Sequence, residues 1–267
     1  MEIMKTINQV AEERKATHCM LYVHGFMTQP RAQIERAMEI NANWEGKGAF
    51  CIPVVWPAEN VAYWTQKAGA NGAARGLREE ILPYLKHECG TKVSISIMCH
   101  SMGNYVLKKM APEETVKDPF QFDNIFMVAA DVRAVTFDEK KGVEEVTVTV
   151  NGKKEKVLDH DGKDLLRLAK HKIHVCWYGS DLALLGRRAE VWSNRGRAAI
   201  GRNGLYEYSK EEDLIDHKGK LCEKKCDGWN GQQDSWAKRR LGHNYQTEKD
   251  ALEYYRLEMK NNCDNKC

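Results

Sequence analysis

Excess charge of one sign, an apolar leader and a membrane-length run are all missing from this chain, and each absence removes a class of function. Lys and Arg number 41 against 38 Asp and Glu, for a formal net charge of +3. Nucleic-acid binders carry a pronounced basic face or stripe, so nucleic acid is not an expected partner. The first residues are studded with Glu2, Lys5, Glu12, Glu13, Arg14 and Lys15, which leaves no apolar core for a secretory signal there. No stretch approaches the ~18 apolar residues of a membrane span. The expectation is a cytoplasmic protein whose nine cysteines are mostly thiols. With 267 residues, 42% hydrophobic and 30% charged, the chain has enough material for one sizeable core, and we read residues 1–267 as a single α/β domain.

The most informative stretch runs from Val93 to Met110. Val93, Ile95 and Ile97 alternate with Ser94 and Ser96, and the run stays apolar through Met98 and Cys99, as in a buried central strand. His100-Ser101-Met102-Gly103 follows, then helical spacing of Tyr105, Val106 and Met110, with Pro112 as a stop. Strand, sharp turn and helix make the layout of a nucleophile elbow, which strains the serine backbone so that its hydroxyl stands above the sheet edge. Gly103 meets the downstream need for a small residue; Cys99 stands where glycine is usual, and is small and apolar enough to substitute. The alternative is a serine that merely N-caps the helix, but Asn104 occupies the place where a capping box needs Glu or Gln.

An earlier apolar strand, Cys19 to Val23, ends in His24-Gly25-Phe26. A glycine at that point lets the backbone bend over the serine, so that the amides of Phe26 and Met102 become candidates for an oxyanion hole. Pro30 to Ile40 reads as a helix and Phe50 to Trp56 as a strand; Val61 to Lys86 reads as helical but interrupted by Gly69, Gly72 and Gly76, a bent or two-part helix. Trp56, Tyr63 and Trp64 are candidates for an acyl pocket or for plain core.

Asn124 to Ala130 is a further strand, ending in Asp131, and Lys172 to Tyr178 another, followed by Gly179-Ser180-Asp181. Either carboxylate would lie on the Ser101 edge of a parallel sheet; Asp181 also suits a helix N-cap. Residues 132–171 read as an insertion or partial lid built on a hairpin, with Asn151-Gly152 as a two-residue turn. Leu205 to Tyr208 has the composition of a last short strand, and 209–241 reads as an irregular polar segment. Only His217 and His243 follow both carboxylates, as a Ser…Asp…His order requires, and His243 is favoured because glycine precedes it and a helix capped at Thr247 follows. Cys222 and Cys226, like Cys263 and Cys267, are spaced to put two thiolates on one helical face, a weak pattern for zinc or for disulfides that leaves metal binding open.

Together, Leu21-Tyr-Val-His-Gly-Phe26, Val54-Val-Trp-Pro57, Ile97-Met-Cys-His-Ser-Met-Gly-Asn104, Ala129-Ala-Asp-Val132, Gly179-Ser-Asp181 and Gly242-His-Asn-Tyr245 resemble a short bacterial branch of the α/β-hydrolase superfamily, over roughly Cys19 to Tyr245. The resemblance implies a mostly parallel central sheet flanked by helices. It also implies Ser101 as nucleophile, Asp181 as acid with Asp131 as the possible alternative, His243 as base, and Phe26 and Met102 as oxyanion hole. The expected activity is hydrolysis of a small carboxylic ester through an acyl-enzyme, with no cofactor and no metal. An acyltransferase with the same residues, and a non-catalytic binding protein on a hydrolase scaffold, are the alternatives. Acyl and alcohol specificity and oligomeric state are not written in the sequence.

Overall fold

The computed structural model describes residues 2–58, 63–88, 93–111, 117–150, 153–179, 181, 184, 199–205, 210–215, 219–226 and 246–264. After helix α1 (Glu2–Arg14) come strand β1 (His18–Val23), α2 (Pro30–Asn43), β2 (Ala49–Val54) and α3 (Tyr63–Gly76). A single π-helical stretch, Leu77–Ile81, joins α3 to α4 (Leu82–Glu88). Then follow β3 (Ser94–His100), α5 (Gly103–Met110), β4 (Phe122–Val128), β5 (Val143–Val150), β6 (Lys153–His160), α6 (Asp161–Leu168) and β7 (Ala169–Trp177). Among the described residues short helix α7 (Ile200–Asn203), a 3-10 turn at Glu211–Asp213, β8 (Leu221–Lys225) and α8 (Lys249–Asp264) follow.

Six strands form one parallel sheet in the order β2-β1-β3-β4-β7-β8. Both faces are buried, so alternate residues feed two cores. Cys19, Leu21, Val23, Ile95, Ile97 and Cys99 face one core, with Ala70 and Ala74 of α3, Val106 and Met110 of α5 and Leu165 of α6. Met20, Tyr22, Met98, Phe126 and Val128 face the other, under Ala37 and Ile40 of α2 and Leu252, Tyr255 and Met259 of α8. Burial on two sides is why these strands read as near-unbroken apolar runs. From β1 the chain steps outward to β2, then returns past β1 to β3 and onward. The strand order therefore reverses between β1 and β3, and the C-terminal ends beside such a reversal are where ligands bind in open α/β sheets.

Where a bent or two-part helix is expected, a π stretch follows Gly76, and Gly69 serves close packing: a Cβ there would lie 2.9 Å from the Pro57 carbonyl oxygen. The hairpin is present as the antiparallel pair β5 and β6, with Val150 opposite Lys153; Asn151 and Gly152 lie outside the described residues. One expectation is corrected. Leu205 sits in the turn after α7, and residues 206–208 of the expected strand lie outside the described residues; among the described residues the last strand is β8, inside the 209–241 segment read as irregular. β8 joins the sheet through main-chain pairing with β7, Ile173 opposite Leu221 through Trp177 opposite Lys225, and an edge strand rich in Lys needs no apolar run to do so. At the opposite edge, the Asn41 side chain imitates a strand. Its Nδ2 donates to the Cys51 carbonyl at 2.9 Å and its Oδ1 accepts the Cys51 N–H at 2.8 Å.

Candidate active site

Ser101 follows β3 directly and holds a left-handed backbone, φ 53°, a conformation that costs a non-glycine residue about 1–2 kcal/mol. The surroundings enforce it. The Ser101 N–H donates to the Val128 carbonyl at 3.0 Å, and the Ser101 carbonyl accepts the N–H groups of Asn104 at 3.0 Å and Asp131 at 3.2 Å. The fully buried Asn104 side chain clamps the turn from inside: Nδ2 donates to the carbonyls of Cys99 at 2.7 Å and Ser101 at 3.2 Å. In the sequence Asn104 registers only as a missing capping residue; its clamp depends on carbonyls that converge through the fold. Cys99 takes the usual glycine position as part of the core, and burial pushes its thiol well above the usual range, which keeps it neutral.

Both glycines of the motif are required by close approach. A Cβ on Gly103 would lie 2.5 Å from the Val23 carbonyl oxygen, and one on Gly25 would lie 2.7 Å from Ser101 Cβ. The His24-Gly25-Phe26 turn is thus pressed onto the serine at the C-terminal ends of β1 and β3. Thr28 Oγ1 donates to the Phe26 carbonyl at 3.1 Å and to the Gly25 carbonyl at 3.3 Å, folding the loop back on itself. On the other side, Met102 is in right-handed helical conformation (φ −61°, ψ −17°) at the N-terminal end of α5. The structure so brings Ser101, Gly25 and the carriers of both candidate oxyanion amides to one sheet edge.

His24 holds the loop in place and stays neutral. Its Nδ1–H donates to the Gly25 carbonyl at 2.9 Å, its Nε2 accepts the Trp56 N–H at 3.2 Å, and its ring stacks on Trp56 with centroids 5.1 Å apart. Trp56 Nε1–H in turn donates to the His24 carbonyl at 3.0 Å, so Trp56 is core that braces the loop. Burial lowers the His24 pKa to about 4. The unfolded chain takes up this proton near pH 6.5 and the folded chain only near 4, so the stabilisation is complete above pH 6.5 and lost on the way down to 4. It amounts to about 3 kcal/mol when whole. Melting temperature measured from pH 7 to pH 4 is expected to fall steeply, and the fall is expected to be shallower in His24→Asn. Equal slopes for the two proteins would refute this role.

The two candidate acids stand differently. Asp131 follows β4, the neighbour of β3, and is tied to the nucleophile turn through its N–H. Asp181, after β7, is fully buried; its N–H donates to the Tyr178 carbonyl at 3.0 Å and its Oδ1 accepts the Leu184 N–H at 3.1 Å. One carboxylate oxygen of Asp181 therefore does cap a turn, as its residue type allowed. His243 and His217 lie outside the described residues, as do Cys267 and the side chain of Cys263. Cys222 and Cys226 do not share a helical face: Cys222 belongs to β8, and Cys226 just beyond it donates its N–H to the Trp177 carbonyl at 2.9 Å. Among the described residues no three His, Cys, Asp or Glu side chains group to hold a metal, and no helix is long and apolar enough to cross a membrane.

A parallel sheet with its strand order reversed beside a strained serine, and a glycine loop folded over that serine, define the α/β-hydrolase class. Residues 1–184 match the family described as alpha/beta hydrolase of unknown function (DUF900), and the chain belongs to that family. No curated protein matches. Similar solved structures include Est1E from Butyrivibrio proteoclasticus with bound ferulic acid, at 11% identity and a TM-score of 0.46 over 93% of this chain and 92% of that one. They also include an esterase domain from a Rhodothermus marinus protein, at 9% identity and 0.42 over 92% and 88%. A sugar hydrolase from Lactococcus lactis is similar at 8% identity and 0.44 over 92% and 91%.

Proposed function

We propose that this hydrolase cleaves a small carboxylic ester through an acyl-enzyme formed on Ser101. The observation that carries the reading is the Ser101 backbone, held left-handed where the strand order reverses and overlaid by Gly25. Strain of this kind persists only where the surroundings over-determine it, and it concentrates at functional sites. In the reaction, His243 takes the Ser101 proton as the hydroxyl attacks the ester carbonyl. The amides of Phe26 and Met102 receive the developing oxyanion, His243 returns the proton to the leaving alcohol, and water then repeats the sequence on the acyl-enzyme. Asp181 holds the imidazole in the tautomer that this needs.

The test is labelling with a fluorophosphonate probe, followed by hydrolysis rates over a chain-length panel of simple esters. Stoichiometric labelling of Ser101 and turnover of at least one ester are expected. An unlabelled wild-type protein would instead favour a binding scaffold, and product formed mainly by transfer to an added alcohol in place of water would make the enzyme an acyltransferase.

A further inference from the structure

Two thiols meet on the α8 side of the sheet, where β8 is added to β7. Cys176 and Cys226 are free cysteines, both fully buried, in the same core as Phe126, Leu252 and Tyr255. Cys176 is the penultimate residue of β7 and stands opposite Lys224 of β8. Cys226 follows β8 directly, and its N–H donates to the carbonyl of Trp177, the residue next to Cys176, at 2.9 Å. The Cys226 side chain turns back along β8, with its sulfur 3.3 Å from the Lys224 carbonyl oxygen, and so lies towards Cys176, with whose thiol it shares a hydrogen bond. Cys222 stands earlier on β8, opposite His174; it is half-buried, and its sulfur lies 4.0 Å from the Tyr254 hydroxyl.

We propose that Cys176 and Cys226 are a redox-modification site: on oxidation by glutathione disulfide they join in a disulfide that staples β8 to β7. The inference stands apart from the ester chemistry proposed for Ser101. Closing the bond is a local event, because the thiols already meet and the main chain of Cys226 is tethered beside Cys176. Access comes from the edge. β8 is the last strand in the sheet order, only five residues long and ending in exposed Lys225, so its opening belongs to the less costly motions of the fold. While it is closed, burial pushes the Cys176 thiol well above its usual range and keeps it unreactive; opening hydrates both thiols. One of them loses its proton to water and attacks a sulfur of glutathione disulfide, which forms a mixed disulfide and expels one glutathione thiolate. The second cysteine loses its proton and attacks the protein sulfur of that mixed disulfide, expelling the other glutathione. The protein gives up two electrons and glutathione disulfide is reduced to two glutathiones. The loop closed by the new bond holds residues 177–225, Asp181 among them.

The experiment incubates the folded full chain with glutathione disulfide or with dithiothreitol, blocks remaining thiols with N-ethylmaleimide in urea, and maps the unreduced peptides by mass. A peptide pair joining Cys176 to Cys226 is expected, two hydrogens lighter than the free peptides and absent after dithiothreitol, with Cys222 recovered as its maleimide adduct. The oxidised protein is expected to melt about 10 °C above the reduced one, because the link removes freedom from the unfolded chain over a loop of that length. Cys226→Ala is expected to lose both the link and the shift, and Cys222→Ser to keep both. Recovery of Cys176 and Cys226 as maleimide adducts overturns the proposal. So does a lasting glutathione adduct on either one, and so does a link made through Cys222. A link that leaves the melting temperature unchanged or lowers it also overturns the staple. The peptide map is made on the wild-type chain, so the answer does not depend on whether Cys226→Ala folds.

Discussion

Ser101→Ala is expected to fold as the wild type does and to lose turnover on the order of 10⁶-fold, the loss seen when a serine protease is deprived of its nucleophile. The fold should tolerate the change because the elbow is held by main chain and by Asn104, not by the hydroxyl: the Ser101 N–H and carbonyl bonds to Val128, Asn104 and Asp131 all survive it. A companion variant separates chemistry from strain. At φ 53° glycine carries none of the steric cost that serine does, so Ser101→Gly is expected to be equally inactive yet more stable by about 1 kcal/mol. Activity assays and thermal melts on the two variants check both statements. Substantial ester turnover in either variant would remove Ser101 from the mechanism, and a destabilised Ser101→Gly would mean that the serine backbone is not strained.

Asp181→Asn is the second change with a large expected effect. Replacing the acid of a triad by its amide keeps the shape but favours the wrong imidazole tautomer, and turnover falls by up to about 10⁴ in the serine-protease case. The substitution is a clean probe here. Asparagine caps a turn as well as aspartate does, so the bond to the Leu184 N–H is retained and the variant should stay folded. Asp131→Asn is equally clean, since the tie from residue 131 to the Ser101 carbonyl is main chain. As a structural carboxylate, Asp131 should cost about 1–3 kcal/mol of stability with most turnover kept. Turnover and melting temperature for the two variants side by side decide the matter. A folded Asp131→Asn that is nearly dead, beside an active Asp181→Asn, would reverse the assignment.

What the sequence made legible follows from where its signals are local. The central strands are apolar on both faces, so β1, β3, β4 and β7 announce themselves within a few residues, and the elbow is a contiguous motif whose glycine is set by steric contact with β1. β8 escaped because its place depends on pairing with β7: Glu223, Lys224 and Lys225 give no strand signal of their own. The Glu223 side chain also ties down the neighbourhood by accepting the Leu205 N–H at 2.8 Å, a contact across 18 positions that no local pattern announces. Asn104 belongs to the same class. Its type was visible, while the carbonyls it gathers come together only once β3 and α5 are in place.

The amide of Asn41, set along the outer side of β2, has a consequence for association. In a parallel ladder alternate residues point their N–H and carbonyl away from the neighbour, and on β2 those residues include Cys51 and Pro53. Cys51 has both groups taken by Asn41, and Pro53 has no N–H to offer. A foreign strand arriving here would find its template interrupted at consecutive rungs, a built-in guard against edge-to-edge growth of the sheet into fibres or swapped pairs.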